Sequence, residues 1–189
     1  MKLNLGCGNK KLEGYVNIDS DPLCAPDRVL DLRSMPWPFD ESSVSEIVMS
    51  HVLEHLGQTT EEFRKVIQEI YRILAPDGRL KVVVPHAAHD AFPADPTHVR
   101  PIALETFRLL SKKVNDQCRE TGDGSSLLGY ASNVDFDLVD RRVEIDPQFA
   151  EWAKKNGITV DSDSIRFFRN SVRQISLEVR AVKPASSKS

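Results

Sequence analysis

Close to the start of the chain a cysteine stands between two glycines, Gly6-Cys7-Gly8. Glycine presents no side-chain obstruction and tolerates left-handed torsions, so such a turn lets the backbone approach a ligand closely. Two carboxylates follow at short intervals, Asp19 and Asp31, each closing a short run of apolar residues. A carboxylate accepts two hydrogen bonds side by side, so Asp19 suits the vicinal hydroxyls of a ribose and Asp31 an exocyclic amine of a base. The plainer alternative makes both of them turn formers or helix N-caps. A dinucleotide fingerprint fits poorly. It needs a third glycine or alanine three residues beyond Gly8, where Lys11 stands, and its ribose-binding acid about 20 residues farther on, whereas Asp19 comes much sooner.

Histidines form a second group. Ser50-His51 follows an apolar run, and three of the five histidines, His86, His89 and His98, fall in one stretch with Asp95 and Arg100. A histidine with a pKa near neutrality can take the proton of a hydroxyl or a protonated amine. His86 or His98 is the candidate base, with Asp95 orienting a histidine and Arg100 contacting the acceptor; His51 is the other candidate. The alternative for each is a loop pinned by hydrogen bonds to backbone. His51-Val52-Leu53-Glu54-His55 also spells HxxEH, the zinc-binding pattern of inverted zincins. That pattern requires a helix and a third ligand, whereas here it directly follows a strand-like run, so no metal is expected. The arginines at 141–142 and from 166 to 173 read as solvated faces.

The elements that must position these residues are legible in part. Leu3 and Leu5 alternate with polar residues before the glycine turn, and Val16–Asp19 and Arg28–Asp31 read as two further strands. Glu46–Ser50 is a compact apolar strand. Thr59 and Glu62 form a capping box, and Phe63, Val66, Ile67, Ile70, Tyr71 and Leu74 give the helix behind it one apolar face, with Pro76 and Gly78 to end it. Leu80–Val84 has the continuous apolar character of a parallel strand covered on both faces. Strands alternating with helices predict a single Rossmann-like, doubly wound α/β sheet, mostly parallel, with ligands at the carboxyl ends of its strands. A short helix is expected within 101–110 and a long polar surface excursion from 112 to 133. Val134–Ile145 and Gln174–Val182 predict an antiparallel C-terminal strand pair around a helix at 147–155, capped by Asp146 and stopped at Asn156-Gly157.

The order of these pieces resembles the motifs of class I S-adenosylmethionine-dependent methyltransferases, nearest to the small bacterial type-11-like enzymes. The resemblance is carried by Leu3-Asn4-Leu5-Gly6-Cys7-Gly8, Asn17-Ile18-Asp19, Asp31-Leu32, Pro36-Trp37-Pro38-Phe39, Ser50 through Leu56 and Glu69 through Gly78. It spans about the first half of the chain. It implies that Gly6, Cys7 and Gly8 wrap the amino-acid part of S-adenosyl-L-methionine, that Asp19 holds the ribose, that Asp31 and Leu32 meet the adenine, and that Ser50 and His51 border the methyl group. His86, His98 and Arg100 would then lie on the acceptor side. The pattern departs from the family at Lys10, where a third glycine is usual, and in the short connection before Val16.

Composition narrows the task. The 189 residues are read as one domain over 1–183, with an insertion after the fifth strand at about 86–133 and a flexible tail at 184–189. A formal net charge of -3 supplies no positive field toward nucleic acid, which makes that partner class unlikely. There is no apolar stretch of membrane-spanning length, and three cysteines without CxxC spacing suit a reducing, cytoplasmic setting. The expected activity is methyl transfer to oxygen or nitrogen of a small-molecule or carbohydrate acceptor. A large acceptor (protein or RNA), a partner subunit completing the pocket, and a cofactor-binding sensor that has lost catalysis are the alternatives.

Overall fold

The computed structural model describes residues 1–183; the tail read as frayed, 184–189, lies outside them. Seven strands form one sheet: β1 (Lys2–Leu5), β2 (Val16–Asp19), β3 (Arg28–Val29), β4 (Val44–Ser50), β5 (Leu74–Pro85), β6 (Phe136–Ile145) and β7 (Val172–Ala181). Their spatial order is β3-β2-β1-β4-β5-β7-β6. The first five run parallel, and β7 is antiparallel to both β5 and β6. The chain winds outward from β1 in both directions, so β1 and β4 flank the topological switch, where open α/β sheets bind ligands.

One face of the sheet holds the core. Leu3, Leu5, Ile47, Met49, Leu80, Val82, Val84, Leu177 and Val179 are all buried along it. Helix α1 (Thr60–Ile73) covers hydrophobic surface with Phe63, Val66, Ile67, Ile70 and Ile73. Its N-terminus is the expected capping box, with Thr59 and Glu62 each accepting from the other's backbone N–H. Glu69 reaches from α1 to the loop before β4, where its carboxylate accepts from Trp37 N–H at 2.6 Å and from Arg72.

The opposite face is different. Lys81 and Val83 on β5 and Val48 on β4 are only half-buried, and ion pairs Lys81–Glu46 (3.0 Å) and Arg79–Glu178 (2.8 Å) cross the strands there. The Leu80–Val84 run is therefore covered on one face rather than both. Among the described residues no helix joins β1 to β2, and only a 3-10 turn, Pro22–Cys24, lies between β2 and β3.

Further elements depart from the sequence expectations. Helix α1 stops at Ile73 and β5 begins at once, six residues before the expected strand, with a left-handed Asp77 (φ 60°) at its turn. Strand β3 is two residues long and stops before Asp31. After β5 come α2 (Ala91–Ala94) and α3 (Leu104–Arg108). The segment expected to be a surface excursion instead holds α4 (Lys112–Thr121) and α5 (Leu128–Ala131). Asn115 on α4 is fully buried; its amide donates to Leu109 O and accepts from Gly129 N–H, both at 2.9 Å. Helix α6 (Pro147–Lys155) has the expected Asp146 cap, accepting from Gln148 and Phe149 N–H. Helix α7 (Ser162–Phe167), capped by Asp161, was not anticipated.

Candidate active site

The chain leaves β1 into a loop that two left-handed glycines shape, Gly6 (φ +65°) and Gly8 (φ +49°). A Cβ on Gly6 would stand 2.3 Å from Val52 Cγ2, so packing as well as torsion demands glycine there; at Gly8 a Cβ would meet nothing within 4 Å. Cys7 N–H donates to Ile18 O at 2.9 Å and ties the loop to β2. Burial, with Asp19 close by, pushes the Cys7 thiol up, so it is a neutral packing group rather than a nucleophile.

Asp19, at the end of β2, accepts from Gly8 N–H at 2.7 Å through Oδ2 and from Asp21 N–H at 3.0 Å through Oδ1. It shapes the loop, as the plainer reading had it. Each oxygen nevertheless keeps a lone pair free for a further donor. Asp31 meets Arg33 in a bidentate pair, with Nε on Oδ1 and Nη2 on Oδ2, both at 2.9 Å. Hydrogen bonds from the Arg33 side chain and backbone hold its carboxyl below the ordinary range. The pair is exposed and so contributes little, which lets Arg33 move aside at small cost. Leu32, beside it, is buried and accepts from Trp37 Nε1–H at 3.0 Å.

Two clefts meet at this edge of the sheet. One, of about 520 Å³, is lined by Asp19, Leu30, Asp31, Leu32 and His55 among others. The second, of about 590 Å³, is lined by Cys7, Gly8, Lys10, Ser50 and Val83. Gly6 and His51 line both.

His51 stands at that junction with a left-handed backbone (φ +56°), a conformation that costs a non-glycine residue energy and collects at functional sites. Gln174 gives its amide N–H to Glu144 at 2.7 Å, so its oxygen faces His51 Nε2 at 3.1 Å. His51 Nδ1 lies 3.4 Å from Glu54 Oε1. The Glu54 carboxylate, outweighing partial burial, raises the His51 pKa, and the Gln174 oxygen adds to this.

The histidine stretch divides. His86 lies in a separate cleft of about 500 Å³ with Phe92 and Phe167, and its backbone N–H donates to Arg173 O. Burial, followed by the neighbouring His89, pushes its ring below the ordinary value. His98 packs inside the loop, with Nδ1 2.8 Å from Phe92 O, its ring centroid 4.6 Å from that of His55, and Nε2 3.8 Å from Asp95 Oδ2. Arg100 is held by the protein: Nε donates to Gly57 O at 3.0 Å and the guanidinium lies 4.8 Å from the Phe63 ring centroid. Glu54 and His55 were not singled out individually from sequence, although the HxxEH spacing contains both. The five residues form no helix; Leu53–His55 is a single 3-10 turn.

Residues 16–82 match a family model described as a methyltransferase domain. No protein of curated function gives a significant sequence match. Among solved structures, a SAM-dependent methyltransferase from Archaeoglobus fulgidus is similar over 95% of this chain and 85% of its own, with a TM-score of 0.59 at 16% identity. The match over residues 16–82 and the fold make the chain similar to class I S-adenosylmethionine-dependent methyltransferases. The fold is also similar to that of the YcgJ protein from Bacillus subtilis (TM-score 0.55, 14% identity, 98% of this chain and 92% of that one). The N-methyltransferase NodS from Bradyrhizobium japonicum gives 0.53 at 16% identity over 96% and 85% of the two chains. Among the described residues no helix is long and apolar enough to cross a membrane.

Proposed function

We propose that the two clefts hold one molecule of S-adenosylmethionine and that the methyl group passes to an oxygen or nitrogen of a small-molecule or sugar-like acceptor. One observation carries this reading: Gly6 and His51 are common to both clefts, with the carboxylates Asp19 and Asp31 in one and the glycine loop in the other. Gly6, Cys7 and Gly8 would hold the amino-acid portion, Asp19 the ribose through its remaining lone pairs, and Asp31 with Leu32 the adenine. Ser50 and His51 would border the reacting methyl. When bound, the cofactor supplies an electrophilic methyl on a sulfonium, which leaves by in-line displacement. The protein's share is alignment, which can lower the barrier by several kcal/mol.

Proton removal falls to His51, the one of the three nominated histidines that lines these clefts. Gln174 Oε1 can only accept, so Nε2 carries a proton in this structure. To act as base the ring must release that proton, turn Nε2 from Gln174 to the acceptor and keep its remaining proton on Nδ1 toward Glu54, 3.4 Å away, the arrangement of a base held by a third group. His86, Asp95, His98 and Arg100 would shape the surrounding walls. Calorimetry with S-adenosylmethionine tests the cofactor site: wild type binds at one per chain, and Asp19→Ala weakens binding at least tenfold. Labelled-methyl transfer to an acceptor panel tests the rest, with His51→Gln keeping cofactor affinity and losing about 10²–10⁴ in rate. A wild type that does not bind the cofactor overturns the reading.

A further inference from the structure

Glu54, His55 and His98 converge beside the cofactor clefts, and the function above uses only one oxygen of one of them. Glu54 is fully buried, and neither carboxylate oxygen has a hydrogen-bond partner among the described residues. A buried carboxylate is costly unless paired, and one left bare in a folded protein calls for a specific explanation such as an ion. Only Oε1 approaches another charged group, the His51 ring at 3.4 Å, and without hydrogen-bond geometry.

The two imidazoles have defined tautomers. His98 Nδ1 lies 2.8 Å from Phe92 O, and His55 Nδ1 lies 3.2 Å from Thr97 O. A carbonyl oxygen can only accept, so Nδ1 carries the proton in each neutral ring and Nε2 keeps a lone pair. Metal-binding histidines are oriented in this way, the other ring nitrogen giving its proton to a carbonyl or carboxylate. One potential ligand atom from each of Glu54, His55 and His98 lies within 4.8 Å of the other two. Tetrahedral ligands at zinc distances stand about 3.4 Å apart, so small side-chain rotations complete the site.

We propose that Glu54, His55 and His98 bind a divalent first-row transition cation, zinc in kind, with a coordination position left to an oxygen or nitrogen donor from the cleft that His55 lines. Two imidazoles with one carboxylate suit zinc rather than magnesium or calcium, which prefer oxygen ligands. The ligand set differs from that of the HxxEH pattern. His51 stays with Gln174, Glu54 becomes a ligand, and the third donor comes from the loop after α2. Loading would join that loop to the turn after β4 and so fix one wall of the nucleoside cleft. None of this depends on the cofactor assignment.

Chelator-treated protein titrated with zinc chloride against a chromophoric chelator tests the proposal, alongside Glu54→Gln, His98→Gln and His89→Gln. His89 pairs with Asp146 away from the cluster and serves as the control. The expected result is one zinc per chain in wild type and His89→Gln, at least tenfold weaker binding in the two ligand variants, and no competition from magnesium. Zinc should also raise the melting temperature only where the ligands are intact. Melting of the metal-free proteins reports folding, and Glu54→Gln, which removes a buried charge, should melt no lower than wild type. The proposal is overturned by a wild type that takes up no stoichiometric zinc, or by a folded Glu54→Gln that binds zinc as tightly as wild type.

Discussion

Gly6 and Gly8 share a left-handed torsion and differ in what surrounds them, so the same substitution should separate folding from binding. Gly6→Ala adds a Cβ 2.3 Å from Val52 Cγ2 as well as an unfavourable torsion, and should cost about 2 kcal/mol or more of stability. Gly8→Ala pays the torsion alone, about 1 kcal/mol, while placing a methyl in the cleft that the glycine loop lines. Urea midpoints should thus fall further for Gly6→Ala. Calorimetry should show Gly8→Ala losing cofactor affinity out of proportion to its stability, and equal midpoints would refute the distinction. At this scale the sequence was readable wherever partners are close along the chain. Glycine turn and carboxylate sit at adjacent strand ends, so spacing alone suggested their meeting, although not that Asp19 would also brace Gly8 N–H. Glu54 and His55 were visible only as part of the HxxEH spacing, which the strand-like run before it argues against, because the residue that completes their cluster, His98, arrives on a loop beyond the next strand.

Helix α1 shows which features of an element are local. Its capping box and apolar stripe lie within its own residues, and both were evident before the structure. Its tie to the rest of the molecule was not. Glu69 accepts from Trp37 N–H and Arg72, and although burial pushes its carboxyl up, those hydrogen bonds hold it below the ordinary value. A carboxyl lowered on folding stabilises above its unfolded pKa, about 4.3, and loses that contribution as pH falls through the folded value. Glu69→Gln should therefore cost about 1–3 kcal/mol at pH 7, with the gap from wild type closing as the pH drops from about 5 toward 3. Denaturant melts across that range measure it, and a gap independent of pH would show that the charge contributes nothing. Helices α4 and α5 were unreadable for a related reason. Asn115 looks like one more polar residue in a polar stretch, yet its amide is spent on Leu109 and Gly129. Composition does not show where a side chain's hydrogen bonds go.

In the whole molecule the two faces of the sheet are unequal, and this inequality follows from the short connections. Ten residues join β1 to β2 and eight join β2 to β3, too few for crossovers with full-length helices, so Lys81, Val83 and Val48 remain half-exposed. The periodicity of β5 could not reveal this, because an apolar run reads alike whether one face or both are covered. Neighbouring valines in one strand make the difference measurable. Val82 is 1% exposed on the core face, and Val83 is half-buried on the other. Val82→Thr inserts a hydroxyl where water cannot reach it, a loss of about 1–3 kcal/mol. Val83→Thr sets the same hydroxyl beside solvent and should stay within about 0.5 kcal/mol. Torsional preferences of valine and threonine in strands are close, so backbone effects largely cancel between the two variants. Matched urea melts read the difference directly. Equal and large losses would mean that the second face is covered in solution, and a covering partner would then be sought over Val48 and Val83.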